Sequence, residues 1–163
     1  MTKYIVVVAG NIGAGKTSLT ERIGARLGWW TGYESVSDNP YLSDFYGDMR
    51  TWSFHLQIFF LGHRAEQYLD AARDPRSAIL DRSIYEDAYI FARARNIETG
   101  ITAEYLSLLD TFYDEWLKSF DLCPVLTIRT DDLDYVHQPQ HLETVAARIQ
   151  DKLSGKEVMD LRE

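Results

Sequence analysis

The stretch Tyr4-Ile5-Val6-Val7-Val8-Ala9-Gly10-Asn11-Ile12-Gly13-Ala14-Gly15-Lys16-Thr17 decides how this chain is read. Its first six residues are apolar at nearly every position and rich in β-branched side chains. That is the pattern of a strand covered on both faces of a parallel sheet. From Gly10 to Thr17 it spells G-x-x-x-x-G-K-[ST], and residues 17–27 then carry Leu19, Ile23 and Leu27 on one helical stripe. Strand, glycine-rich loop and helix in that order form a phosphate-binding loop. The glycines let successive backbone N–H groups turn inward around phosphate oxygens, where a Cβ would obstruct them. The helix N-terminus adds the positive end of its dipole at the same place. Lys16 is expected to reach the β- and γ-phosphates and Thr17 to offer its hydroxyl to Mg²⁺, with Ser18 closing the segment. A turn that is glycine-rich by chance would lack this spacing and these flanks. The loop implies ATP or GTP and leaves the acceptor of the phosphoryl group open.

Outward from the loop, a second strand is predicted near residues 31–35 and a helix over 53–72, where Phe54, Ile58, Leu61 and Ala65 recur at helical spacing. Residues 77–80 are short and apolar and run into Asp81-Arg82-Ser83. Helices fit 84–93, 102–120 and 139–153, with a strand at 125–128 set off by Pro124 and a frayed tail from 155 to 163. Strands alternating with helices predict an α/β fold, a parallel sheet with helices on both faces.

At 163 residues the chain is one domain, 1–163, with 45% apolar and 26% charged residues, ordinary globular usage. It shows no repeat, no linker and no apolar run of 18 residues, and its start lacks the pattern of a signal peptide. One cysteine, Cys123, allows no internal disulfide, which fits a reducing, cytoplasmic setting; beside Pro124 it reads as a buried small hydrophobe. Seventeen basic against 25 acidic residues give a net charge of −8, which disfavours nucleic-acid polymers and anionic membranes as partners. His55, His63, His137 and His141 have no metal-ligand spacing, and Asp131-Asp132-Leu133-Asp134 reads as a strand-end turn.

Several segments resemble one family, the deoxyribonucleoside kinases, in particular the bacterial deoxyadenosine/deoxyguanosine kinase branch. They are the loop Gly10–Lys16 itself; Tyr33-Glu34-Ser35-Val36 leading to Asp38-Asn39-Pro40-Tyr41-Leu42; Phe45-Tyr46 through Trp52-Ser53-Phe54-His55-Leu56-Gln57 to Arg64; and Asp81-Arg82-Ser83-Ile84-Tyr85-Glu86-Asp87 ending at Phe91. Tyr113-Asp114-Glu115-Trp116 and Cys123-Pro124-Val125-Leu126 are similar to its C-terminal part. The resemblance implies a P-loop kinase that moves the γ-phosphoryl of ATP to the 5′-hydroxyl of a deoxyribonucleoside, with Mg²⁺, and a homodimer formed through the helix over 53–72 and its neighbour. It implies an ATP cradle of Gly10, Asn11, Ile12, Gly13, Ala14, Gly15, Lys16, Thr17 and Ser18. Glu34 would be the general base, Arg82 would neutralise charge on the transferred group, and Asp81 would hold the metal with Thr17. Gln57 would read the base edge, Arg64 would pair with Asp87 beside it, and Phe91 would stack on the base. Tyr46 and Glu98 would hold the sugar 3′-hydroxyl.

The sequence departs from the family pattern at two places. Ser35 stands where the family often has proline. The family's further helix, central strand and arginine-rich lid have no counterpart between Phe91-Ala92 and Arg95-Asn96-Ile97-Glu98, so a segment on the scale of a βαβ unit is omitted or deleted near 92–97. The first strand and the one at 125–128 are then expected not to pair, with a broken or distorted connection near Arg93. Two other readings stay open: a P-loop kinase for a nucleoside monophosphate or small metabolite, and a nucleotide-binding module without activity.

Overall fold

One short strand, β3 (Ala78–Asp81), is buried along its whole length and organises the fold. A computed structural model of the chain describes residues 3–34, 38–86, 89–90, 102–131, 133–135, 137–152 and 156–159. β1 (Ile5–Val8) lies parallel on one side of β3 and β2 (Trp30–Gly32) parallel on the other. The register sets Val8 opposite Asp81 and Gly32 opposite Leu80. Parallel pairing therefore brings the residues after all three strands to one edge of the sheet. That edge, at the carboxyl ends of the strands, is where α/β folds place their chemistry.

Alternation along β3 explains the two layers of helix. Ile79 faces Leu19 and Ile23 of α1 (Lys16–Leu27), together with Val145 and Ala146 of α6 (Pro139–Asp151), Tyr135 and Met159. Its neighbours Ala78 and Leu80 face Ala71 of α3 (Met49–Arg73). A third cluster gathers Tyr105, Leu109, Tyr113, Trp116 and Phe120 around α5 (Ala103–Ser119). The α/β class, with a parallel sheet and helices on both faces, stands as the sequence predicts.

Details differ. A six-residue helix not anticipated, α2 (Leu42–Gly47), precedes α3. The long helix begins at Met49, not at 53, because the Asp48 carboxylate caps it by accepting from the Thr51 N–H at 3.2 Å. Its buried face is Ser53, Leu56, Arg64 and Ala71, whereas Phe54, Ile58 and Leu61 of the predicted stripe are 56%, 52% and 41% exposed. Cys123 is exposed, so it is no core hydrophobe. The tail expected to fray contributes β5 (Lys156–Met159), parallel to β4 (Val125–Ile128), and the Arg129 N–H extends the ladder to the Met159 carbonyl.

β1 is less covered than its sequence implies, with Val6 to Val8 half-buried and Ile5 exposed. Among the described residues β1 and β4 belong to different sheets, the separation expected when a strand between them is lacking. Residues 91–101, where the connection was expected to break, lie outside the described residues.

Candidate active site

The loop between β1 and α1 curls over the sheet edge because its glycines take conformations that side chains rarely adopt. Gly13 and Gly15 have φ of 81° and 79°. At Gly15 a Cβ would lie 2.2 Å from the Tyr135 hydroxyl oxygen, and that hydroxyl donates to the Gly15 carbonyl at 2.8 Å. Lys16 is buried beneath the loop and its Nζ donates to the Asn11 carbonyl at 2.7 Å, spanning the cradle. Burial lowers the Lys16 pKa and the Arg82 charge adds to this, while Glu86, Asp81 and Glu34 oppose it. The Asn11 amide ties the loop to α5, donating to the Leu106 carbonyl at 2.9 Å and to Asp110 Oδ1 at 2.7 Å.

Asp81 closes β3 directly beside this loop. Its Oδ2 accepts from the Thr17 hydroxyl at 2.5 Å, and its Oδ1 is buried with no hydrogen-bond partner. An acidic oxygen with no donor is costly to bury. One hydroxyl and one carboxylate facing each other, with that spare oxygen, suit a small hard cation such as Mg²⁺.

Glu34, just beyond β2, stands between two buried guanidinium groups. Arg64 Nη2 reaches its Oε1 at 2.7 Å and Arg82 Nε reaches its Oε2 at 3.1 Å. Two donors leave acceptor sites on both oxygens, and the side chain keeps 22% exposure, so a hydroxyl can approach it. Burial works against the Arg82 charge, but the Glu34 and Glu86 carboxylates outweigh it and hold the pKa above the usual arginine value. Arg82 also has φ 78°, a left-handed backbone for a residue with a side chain, immediately after the strand. Strain at such a place is characteristic of functional sites.

The structure thus brings together Gly10 to Thr17, Glu34, Asp81 and Arg82. Arg64 joins them through Glu34; the pairing with Asp87 lies outside the described residues, as do Phe91 and Glu98. Gln57 is half-buried on the same inward side of α3 as Arg64, and its Oε1 is buried without a hydrogen-bond partner. Tyr46 on α2 is 63% exposed and makes an edge contact with Phe45.

One central residue went unassigned. Glu86 is fully buried and accepts from the Gly10 N–H, the Ser83 N–H and the Tyr113 hydroxyl. Its sequence signal is S-x-x-E, Ser83 to Glu86, a capping box at the start of the short helix α4 (Ile84–Glu86), where the Ser83 Oγ accepts from the Tyr85 N–H. Tyr113 is found only by the fold, 27 residues away.

A parallel sheet carrying a phosphate loop, a metal-suited Asp–Thr pair and an arginine-flanked carboxylate at one edge is the arrangement of a P-loop kinase. The family model for deoxynucleoside kinase matches residues 6–96 and 92–154, and the chain belongs to that family, enzymes that phosphorylate deoxyribonucleosides. It is 30% identical over 197 aligned positions to a deoxyadenosine/deoxycytidine kinase of Bacillus subtilis, covering 89% of this chain and 91% of the relative. It is 37% identical over 149 positions to a deoxyguanosine kinase of Lactobacillus johnsonii, covering 90% of this chain and 62% of the relative. Deoxyadenosine kinase from M. mycoides with bound dATP shares the fold, with a TM-score of 0.56 at 21% identity over 99% of this chain and 92% of that one. An alignment of 197 positions drawn from 89% of 163 residues leaves about 50 positions of the relative unmatched, more than the roughly 30 of a βαβ unit.

Proposed function

We propose that this chain transfers the γ-phosphoryl group of ATP to the 5′-hydroxyl of a deoxyribonucleoside, with deoxyadenosine or deoxyguanosine preferred. The observation that carries the reading is Glu34, fixed by Arg64 and Arg82 at the same sheet edge as the phosphate loop. In the transfer, the 5′-oxygen forms a bond to the γ-phosphorus while the bond to the β–γ bridging oxygen breaks. The 5′-hydroxyl proton passes to the Glu34 carboxylate. Lys16 and the loop N–H groups bind the phosphates, and Arg82 offsets charge on the transferred group. Asp81 and Thr17 would hold Mg²⁺, which would supply neutralisation of the phosphate charge. Gln57, with its unpartnered Oε1, would read the base; Arg64, Asp87 and Phe91 would complete the base site, and Tyr46 and Glu98 the sugar site.

The exposed row Phe54, Ile58 and Leu61 on α3 supports a homodimer formed through that helix. No described helix is long and apolar enough to cross a membrane. The net charge and single cysteine support a cytoplasmic protein that binds neither nucleic-acid polymers nor membranes.

The two-part family match meeting at 92–96 supports a single P-loop domain, 1–163, that lacks an internal segment near 92–97. It also favours a second reading, a nucleotide-binding module that does not turn over. A coupled ADP-release assay with a nucleoside panel, run beside ATP calorimetry and intact-mass measurement, tests both readings. Turnover of deoxyadenosine or deoxyguanosine above thymidine is expected. Turnover of thymidine alone sinks the specificity, and ATP binding without any transfer establishes the second reading.

A further inference from the structure

Glu86 is more than the cap of a short helix. Its Oε2 accepts from the Ser83 N–H at 2.7 Å, which completes the capping box. Its Oε1 does separate work, accepting from the Gly10 N–H at 3.1 Å and the Tyr113 hydroxyl at 2.5 Å and meeting Arg82 Nη1 at 3.4 Å. The same Tyr113 hydroxyl lies 2.9 Å from the Gly10 carbonyl, and Arg82 Nη1 lies 3.5 Å from it. Gly10 opens the phosphate loop, and Arg82 is one of the two arginines that hold Glu34. Gly10 and Arg82 are 72 residues apart in sequence and share one fully buried carboxylate.

We infer that Glu86, gripped by the Tyr113 hydroxyl of α5, is a positioning residue that locks the start of the phosphate loop to Arg82, so that donor cradle and charge-neutralising arginine hold one spacing. The inference rests on the kinase reading for what that spacing serves. Glu86 does not face the reacting atoms; it acts through the groups it holds. The chemistry of its partners suits a carboxylate. All four are donors, so each needs an acceptor, and a carboxylate offers acceptors only. A glutamine of the same shape must turn its amide N–H₂ toward either the Ser83 N–H or the donors around Oε1. Burial, first, and the Glu86 charge, second, push the Tyr113 hydroxyl above its usual pKa, consistent with a phenol that keeps its proton to donate.

The test compares Glu86→Gln, Tyr113→Phe and the double variant by ATP calorimetry, by kcat and nucleoside KM, and by thermal midpoint. Tyr113→Phe keeps its ring in the α5 cluster and is expected to stay folded. It is expected to weaken ATP binding about tenfold, the equivalent of one hydrogen bond to a charged group. Glu86→Gln should lower kcat about 10- to 100-fold with nucleoside KM unchanged, and the double variant should lose little beyond Glu86→Gln alone, because both act through one carboxylate. Lowered thermal midpoints with ATP affinity and kcat at wild-type values would reduce Glu86 to a helix cap and overturn the inference. So would effects that simply add. Calorimetry needs no turnover: a wild-type chain that binds ATP without transferring phosphate removes the kinase reading, and the Tyr113→Phe affinity ratio still decides this one.

Discussion

The sheet edge that carries the phosphate loop and the flank proposed to face the acceptor meet at Glu34, yet they are built by different means. The edge comes from the ends of two paired strands, with Val8 in register with Asp81; its side chains Lys16, Asp81, Arg82 and Glu86 are buried, with Asp81 bonded to Thr17 and Arg82 to Glu86. The flank comes from one inward side of a 25-residue helix and from the segment ahead of it, with Gln57 half-buried and Tyr46 exposed. Strand register fixes positions to a fraction of a residue spacing, whereas a helix face fixes only a direction. The donor end is therefore set before any substrate arrives. On the proposed reading, acceptor choice rests on fewer and looser constraints.

The largest expected effect comes from breaking the junction itself. Glu34→Gln removes the group assigned to take the proton and is expected to lower kcat by about 10²- to 10⁴-fold, the usual worth of a general base. ATP affinity should stay near wild type, because the described Glu34 bonds run to Arg64 and Arg82 and not to the loop. A calorimetric loss of ATP affinity as large as the loss in kcat would place Glu34 with the phosphate edge and erase the division.

A smaller effect tests how rigid that edge is. Gly15→Ala puts a Cβ on a left-handed residue, at a cost of about 1–2 kcal/mol, and drives it to 2.2 Å from the Tyr135 hydroxyl oxygen. ATP affinity should fall about tenfold, by the equivalence of 1.4 kcal/mol to a decade. Adding Tyr135→Phe should recover part of this, since it removes the contact and leaves the backbone strain. Wild-type affinity in Gly15→Ala would show a loop that yields, and the contrast with the flank would lose its basis.

The same division explains what was legible in the sequence. Gly10 to Thr17 and Asp81-Arg82 are contiguous and sit at strand ends, so local pattern and fold class together located them. Glu34 needed the family resemblance, since nothing local separates it from a surface glutamate. Glu86 carried only its capping-box spacing to Ser83, and its bond to Tyr113 depends on where α5 lands. The stripe on α3 was seen as periodicity, but periodicity does not say which side of a helix meets the sheet. Arg64, an ionic residue, took the buried face because Glu34 pairs with it. β5 was missed because Lys156-Glu157 reads as tail, and its ladder with β4 is a long-range pairing that no local pattern announces.

The smallest effect on the chemistry is expected on the far side of that same helix. Ile58 is 52% exposed in a row with Phe54 and Leu61, away from the face that carries Leu56 and Arg64. Substituting an exposed position removes no packing within one chain, so Ile58→Lys should leave the stability of an isolated protomer within about 0.5 kcal/mol. If two copies cover this row, a buried lysine on each side of the contact costs far more than that. Sedimentation should then show a dimer for the wild type and a monomer for Ile58→Lys. The wild-type thermal midpoint should rise with protein concentration while that of the variant does not, because only association ties stability to concentration. ATP affinity should be equal in the two, since the phosphate edge is built from strand ends that the row does not touch. A wild type that stays monomeric at every concentration would leave the row without this partner. An altered ATP affinity in the variant would show that the two regions are not built as independently as their geometry implies.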